Sequence, residues 1–335
     1  MMADKVRTVW LAVIAVPLVL LALRASYAVT MPIAVAAVVI AAVWPVEVWL
    51  RHRLPERIGS LGTILVLLAI TLGFIAAVYL SAAQVVRAFA QRWGEFESAY
   101  ESATAWADRW GLPLGGKEGY ARLIAVGQDL LGNAYTISVY LAFISLLVVL
   151  GLPEIPALRR KLQAAFGADK RSEVAQAADE IAGKIRDYLA TTTATSLITG
   201  VASTLWALAT GLDLALVWGT LNFLLNYIPV VGNLVGIVPP GLYAVVQFPE
   251  SVLPIIIVVG FSVIQITISN VIYPVLQGRS LSLSPIAVVV SLSIWGWVWG
   301  IAGMLIAIPL TVTFIIVCEH FASTRWIAIL LSGSR

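Results

Sequence analysis

The sequence predicts an all-α polytopic membrane protein of about eight transmembrane helices, some broken or re-entrant, with amphipathic helices between spans. Three observations carry that prediction. Hydrophobic residues make up 60% of the 335-residue chain and charged ones 12%, about half the charged fraction of a soluble protein. Several apolar runs reach the roughly 20 residues that a helix needs to cross hydrocarbon. Two of the most apolar stretches, 213–240 and 265–285, carry amides, glycines and prolines that a plain lipid anchor does not need. Within a bilayer, a backbone interrupted in this way is tolerated only where protein or a watery cavity covers it.

The same composition excludes several function classes. A single cysteine, Cys318, rules out an internal disulfide, and with His52 and His320 as the only histidines a His-based zinc centre is not expected. No Gly-rich loop ends in GK[ST], and no basic–aromatic patch points to nucleic acid. No histidine sits beside a carboxylate in a protected polar cluster, so no catalytic residues and no enzyme activity are expected. The sole cofactor expectation is a coupling ion, proton or sodium.

Taken in order, residues 1–82 form an N-terminal three-helix membrane region. Runs 8–25 and 29–50 are joined by SYAVT, and 60–82 makes the third crossing. Lys5, Arg7 and the cluster Arg51–Arg57 place both ends of the first helix pair in the cytoplasm, by the positive-inside rule. The N-terminus lacks a small-residue cleavage pattern, so the first helix is expected to be retained. Glu47 either reaches headgroup water or Arg51, or acts as a proton-linked carboxylate. Residues 83–131, with Trp93, Phe96, Tyr100, Trp106 and Trp110 at helical separations, form an external amphipathic insert. Residues 132–151 cross back, and 152–190 form a cytoplasmic amphipathic segment with Val174, Ala178, Ile181 and Ile185 on one face. Residues 191–318 form the transport core, divided as 193–210, 213–229, 232–248, 251–276 and 284–318, and 319–335 the tail. Gly296, Gly300 and Gly303 suggest that the last division, too long for one crossing, turns back as a hairpin.

The chemistry is expected in that core. Asn222 and Asn226, four apart, share a helix face, and Asn233 follows the Pro229–Gly232 break. Buried amides demand partners, so these either grip one another across helices or line a polar solute path. A second break is expected at Pro239–Pro240. Gln265, Thr267 and Ser269 are too evenly spread to define one face, which favours the group Asn270, Pro274 and Arg279. Arg279 either marks a cytoplasmic loop or reaches a cavity. Asp213, after Gly211, is placed at an external turn, and TTTATS (191–196) reads as polarity at a helix start, with hydroxyls bonded to their own helix.

WGTLNFLLNYIPVVGNLVGIVPP (218–240) resembles the signature of the AI-2E transporter family, through Asn222, Ile228, Pro229, Gly232, Gly236, Pro239 and Pro240. NVIYPVLQGRSLSLSP resembles a second signature through Asn270, Pro274, Gly278 and Pro285, and GIAGMLIAIPL (300–310) a third through Gly300, Gly303 and Pro309. Ser284 stands where many relatives have His. The resemblance implies a multi-pass transporter of the bacterial or archaeal cytoplasmic (inner) membrane, N-terminus in the cytoplasm, that exports a small polar solute resembling autoinducer-2. It also implies a homo-oligomer in the bilayer, a pentamer. Cation–proton antiport, with Glu47 and Asp213 as candidate ion-coupling residues, is the alternative, and a non-transporting scaffold a third. The solute path would run by Asn222, Asn226, Pro229, Gly232, Asn233, Gln265, Asn270, Pro274 and Arg279.

Overall fold

The computed structural model describes residues 2–53, 56–92, 94–95, 98, 136–165, 168–229, 231–249, 251–277, 283–320 and 324–331. Among these the protein is helical throughout, with no strand. Five helices are long and apolar enough to cross a membrane: Tyr27–Trp49, Gly62–Ser81, Thr136–Lys161, Leu253–Gln277 and Pro285–His320. Shorter apolar helices lie at Ile14–Ala25, Ala215–Leu225 and Val231–Gln247. Beyond Arg92 the expected external insert falls almost wholly outside the described residues, as do Gly278 and Arg279.

The chain forms two compact units. The first comprises Met1–Leu67, Phe143–Leu189 and Gly278–Arg335, and the second Leu68–Ala142 and Ala190–Gln277. In the first unit α1 (Met2–Ala25) and α2 (Tyr27–Arg53) are separated by one residue, Ser26, so most of the expected SYAVT link is helical. The bend is held by Thr30 Oγ1, which donates toward Leu23 O and Ser26 O at 3.0 Å each. α3 (Glu56–Gln91) follows, then α4 (136–151), a 3-10 turn at Leu152–Glu154 and α5 (Ile155–Ala165). An exposed Arg159–Asp179 ion pair ties α5 to α6 (Ala168–Ala209).

At 190–191, where the sequence leads a cytoplasmic helix into a span, α6 runs on unbroken. At 1.5 Å per residue its 42 residues reach about 63 Å, twice the roughly 30 Å of hydrocarbon. Nothing between Asp187 and Thr210 breaks it: Thr195, Thr199, Thr204 and Thr210 turn their hydroxyls back onto carbonyls of their own helix. Its second half is polar inward and apolar outward. Thr192, Thr195, Ser196, Thr199 and Ser203 are buried, while Leu197, Val201, Leu205 and Leu208 are exposed, a pattern suited to lipid.

α11 (Pro285–His320) is two helices joined at a sharp break. Trp299 and Gly300 leave helical geometry, Gly300 at φ 62° and ψ −142°. Trp295 Nε1 bonds Thr311 Oγ1 at 3.3 Å, although sixteen residues of straight helix would part them by about 24 Å. The segment therefore folds back as the expected hairpin. Gly303 packs on the Trp295 carbonyl, where a methyl would overlap, and Trp299 Nε1 donates to Thr30 Oγ1 at 3.1 Å. Pro285 opens the helix at its first position, and Ser284 caps it, Oγ accepting Ala287 N–H at 3.1 Å. The serine thus has a structural task. Gly300→Ala meets no neighbour within 4 Å, so its cost is backbone strain alone, about 1–3 kcal/mol. Thermal unfolding in detergent should show a lowered midpoint.

In the second unit α7 (Ala215–Leu225) and α8 (Val231–Gln247) form an antiparallel helical hairpin. At about 16 Å and 26 Å, neither spans roughly 30 Å of hydrocarbon. Its tip is the Asn226–Val231 turn, closed by Ile228 N–H to Leu225 O at 2.9 Å and Gly232 N–H to Ile228 O at 2.8 Å. A methyl on Gly232 would overlap Leu225 O, so only glycine fits there. At the open end, buried Trp218 lies against Tyr243, ring centroids 5.6 Å apart. α9 (Leu253–Thr267), a π-helical turn at Ile268–Ile272 and α10 (Tyr273–Gln277) complete the unit.

Candidate functional site

The α7–α8 hairpin brings polar groups to its inner seam for a backbone reason. Pro240 has no N–H, so the Gly236 carbonyl one turn earlier lacks its helical donor. Asn222 supplies one: its Nδ2 donates to Gly236 O at 3.1 Å and to Trp218 O at 2.9 Å. With both amide hydrogens committed, Asn222 Oδ1 must accept, and Gln265 Nε2 donates to it at 2.6 Å from α9. Gly236 admits the pair by having no side chain: a methyl would overlap Asn222 Oδ1 and stand 3.1 Å from Gln265 Nε2. Asn222 is 0% and Gln265 2% exposed. Two buried amides in a membrane core are costly unless paired, and here they pair.

Beside them opens a cleft of ≈ 230 Å³, walled by Asn233, Gln265, Ser269 and Asn270 among three aliphatic side chains. That is below the 300–1,000 Å³ usual for drug-sized ligands, so the cleft suits a small solute. Asn233 Nδ2 donates to Ser269 Oγ at 2.6 Å. Ser269 and Asn270 lie in the π-helical turn, which Pro274 explains: its ring would clash with the carbonyl four residues back, and the wider turn relieves this. Tyr273 N–H accordingly bonds Ile268 O, five residues back. Asn270 is exposed and turns its amide onto Ile266 O at 3.0 Å.

Asn222 and Asn226 lie one helical turn apart, Asn226 N–H bonding Asn222 O at 3.1 Å, but their amides reach different partners: Asn226 ends α7 and donates to Ser196 Oγ at 3.0 Å and Thr195 Oγ1 at 3.3 Å on α6. Pro239 and Pro240 make no second break, because α8 continues through them, the carbonyl freed by Pro240 being met by Asn222. Gln265, an expected path residue ranked below Asn270, Pro274 and Arg279, is the buried partner of Asn222, while Asn270 stays outside the buried pair. Glu47 is 1% exposed, so the headgroup-water reading fails. The hydroxyls of Thr195 and Ser196 were missed as partners. Their signal was the 192, 195, 196, 199, 203 spacing, which marks one helix face.

Asp213 sits at the exposed turn, in a structural clamp. Arg92 bonds its carboxylate at 2.9 Å, Gln247 Oε1 accepts its N–H at 2.8 Å, and Gln247 Nε2 donates to Gly211 O at 2.8 Å. With both partners partly exposed, the ion pair contributes no more than about 1 kcal/mol. Asp213→Asn should leave solute flux within about twofold of wild type; a proteoliposome assay that found flux abolished would make Asp213 an ion-coupling residue after all.

The family model described as AI-2E family transporter matches residues 11–323. The AI-2 transport protein TqsA of Escherichia coli K12 is 35% identical over 206 residues, 60% of this chain and 57% of TqsA. A candidate transport protein of Borreliella burgdorferi is 30% identical over 216 residues, 64% of this chain and 59% of its own. YhhT of E. coli K12, also a candidate transport protein, is 38% identical over 151 residues, 45% of this chain and 43% of its own. The chain thus spans a little over half the length of the first two relatives. With a family model covering nearly all of it, and its glycines, prolines and Asn222 in the structural roles described, the chain belongs to the AI-2E transporter family.

Proposed function

We propose that the protein is a membrane transporter that carries a small polar organic solute, similar to autoinducer-2, by alternating access at the broken helices of its second unit. The observation that carries this is the Asn222–Gln265 pair, buried at the seam of a hairpin too short to span the bilayer and bordering a largely apolar cleft that Asn233, Gln265, Ser269 and Asn270 also line. A helix ended inside the membrane, with its backbone groups met by side chains, is the arrangement transporters use to hold a solute near the midplane. The name of TqsA and the family match support the solute class. The reading includes residence in the cytoplasmic membrane, a cytoplasmic N-terminus and a homo-oligomer, a pentamer by family resemblance.

The test is uptake into liposomes holding the purified protein, across labelled sugars, furanosyl diols, small acids and monovalent cations. Accumulation of a neutral hydroxylated solute above protein-free vesicles is expected, and no movement of any solute would favour the scaffold. Cation–proton antiport stands as the second reading because Glu47, an ionisable side chain in a membrane helix, is enclosed by protein. It expects sodium or lithium pulses to move protons, and Glu47→Gln to stop them.

A further inference from the structure

We infer that Gln265 is the residue that meets the solute, through Oε1, that Asn222 is a positioning residue behind it, and that the ligand is an uncharged molecule bearing O–H donors. This rests on the transport reading for the cleft being a solute site, but binding and flux can be measured apart.

The argument starts from which atoms are committed. Asn222 spends both amide hydrogens on Trp218 O and Gly236 O, and its oxygen accepts from Gln265 where the side chain is 0% exposed, so it has no N–H to offer a ligand and no open face. Those bonds also fix the Gln265 amide, because turning it over would set oxygen against oxygen. Its Oε1 is therefore the free end, and it is buried with no hydrogen-bond partner among the described residues. A buried acceptor without a donor is costly, and is explained by a ligand that brings one. Gln265 is part of the cleft wall, so a ligand there lies beside its amide.

The rest of the wall agrees. Ser269 Oγ accepts from Asn233 and keeps its own hydrogen to donate. Asn233 and Asn270 each spend one amide N–H on protein and keep the other, with their amide oxygens also unspent. The wall thus offers several acceptors, amide and hydroxyl donors and no charged side chain. A carboxylate or phosphate would find no cation there to balance its charge. A bare cation would use the oxygens but neither the Ser269 hydrogen nor the cleft's volume. A small polyol uses all three.

The full chain in lipid nanodiscs should be titrated calorimetrically with ribose and with its 2-, 3- and 5-deoxy analogues. Ribose is expected to bind, and at least one deoxy analogue to bind tenfold or more weakly. Gln265→Met should erase that discrimination. The wild-type series stands without the variant if Gln265→Met does not fold. Failure of ribose to bind, equal binding of all four sugars, or sodium binding that Gln265→Met abolishes would each overturn the inference. Ribose bound with the Gln265-dependent pattern yet never moved into liposomes would overturn the transport reading and uphold this one. Ribose moved equally by wild type and Gln265→Met would do the reverse.

Discussion

Replacing Gly236 with alanine should cut solute flux roughly tenfold or more, with no polar atom of the site removed. The added methyl occupies the space of Asn222 Oδ1 and crowds Gln265 Nε2. One of the two amides must move, and neither can do so freely: Asn222 is tied to two carbonyls and both side chains are buried. Over-packing of this kind costs about 1–3 kcal/mol, and 1.4 kcal/mol is about tenfold in an equilibrium constant. The prediction is read as uptake per folded protomer. Flux equal to wild type would mean that the solute does not depend on the amide pair. The complementary change, Pro240→Ala, returns an N–H to compete with Asn222 for the Gly236 carbonyl, and should weaken flux more mildly.

A large effect on folding is expected at Gly219, where two helices cross. α6 and α7 cross with Gly200 and Gly219 facing each other: a methyl on Gly219 would overlap Thr204 Oγ1 and stand 2.7 Å from Gly200 O, and one on Gly200 would stand 3.0 Å from Gly219 O. Backbone cannot give way as a flexible side chain can, so Gly219→Ala should part the helices. The loss is about 3 kcal/mol, the upper part of the over-packing range, read as sharply reduced folded yield and a lowered unfolding midpoint in detergent. Gly73→Ala is the control. It sits in α3 with nothing within 4 Å of the added methyl, and removing a helical glycine there should stabilise by about 0.5–1 kcal/mol. Equal yields of the two variants would remove close packing as the reason for Gly219.

How much of this was legible in the sequence follows from what kind of information each feature needs. Apolar length and charge placement suffice for membrane helices, because lipid imposes a uniform requirement. The hairpin at Trp299–Gly300 was legible for a related reason: 36 apolar residues exceed one crossing, and glycines mark where a chain can turn. The Pro229–Gly232 turn was visible in the same way. The prolines at 239–240 misled because a proline in a helix has two outcomes, a break or an orphan carbonyl satisfied from elsewhere. Which occurs depends on Asn222, on another helix. Gln265 was legible as a path residue but not as the partner of Asn222, because that role comes from facing Asn222 and Gly236 in space, and no local period reports it. The Thr195–Ser196 partnership with Asn226 failed likewise: the polar face was in the spacing, its partner was not. Glu47 lies near the end of a candidate span, Tyr27–Trp49, as its position in the sequence suggests, but its burial depends on packing that the sequence does not report.

The account depends on the cleft beside Gln265 holding water and solute instead of lipid, and thiol labelling reads this most directly. The native cysteine, Cys318, is buried and can be replaced by serine to give a silent background. A cysteine is then placed at Ser269, on the cleft wall, or at Val263, which is 56% exposed on α9. In reconstituted liposomes a small, charged, membrane-impermeant thiol reagent should modify Ser269→Cys and spare Val263→Cys, and ribose should slow the modification. A Ser269→Cys thiol that stays unreactive in folded protein, with Val263→Cys equally unreactive, would show a lipid-filled groove and contradict the account.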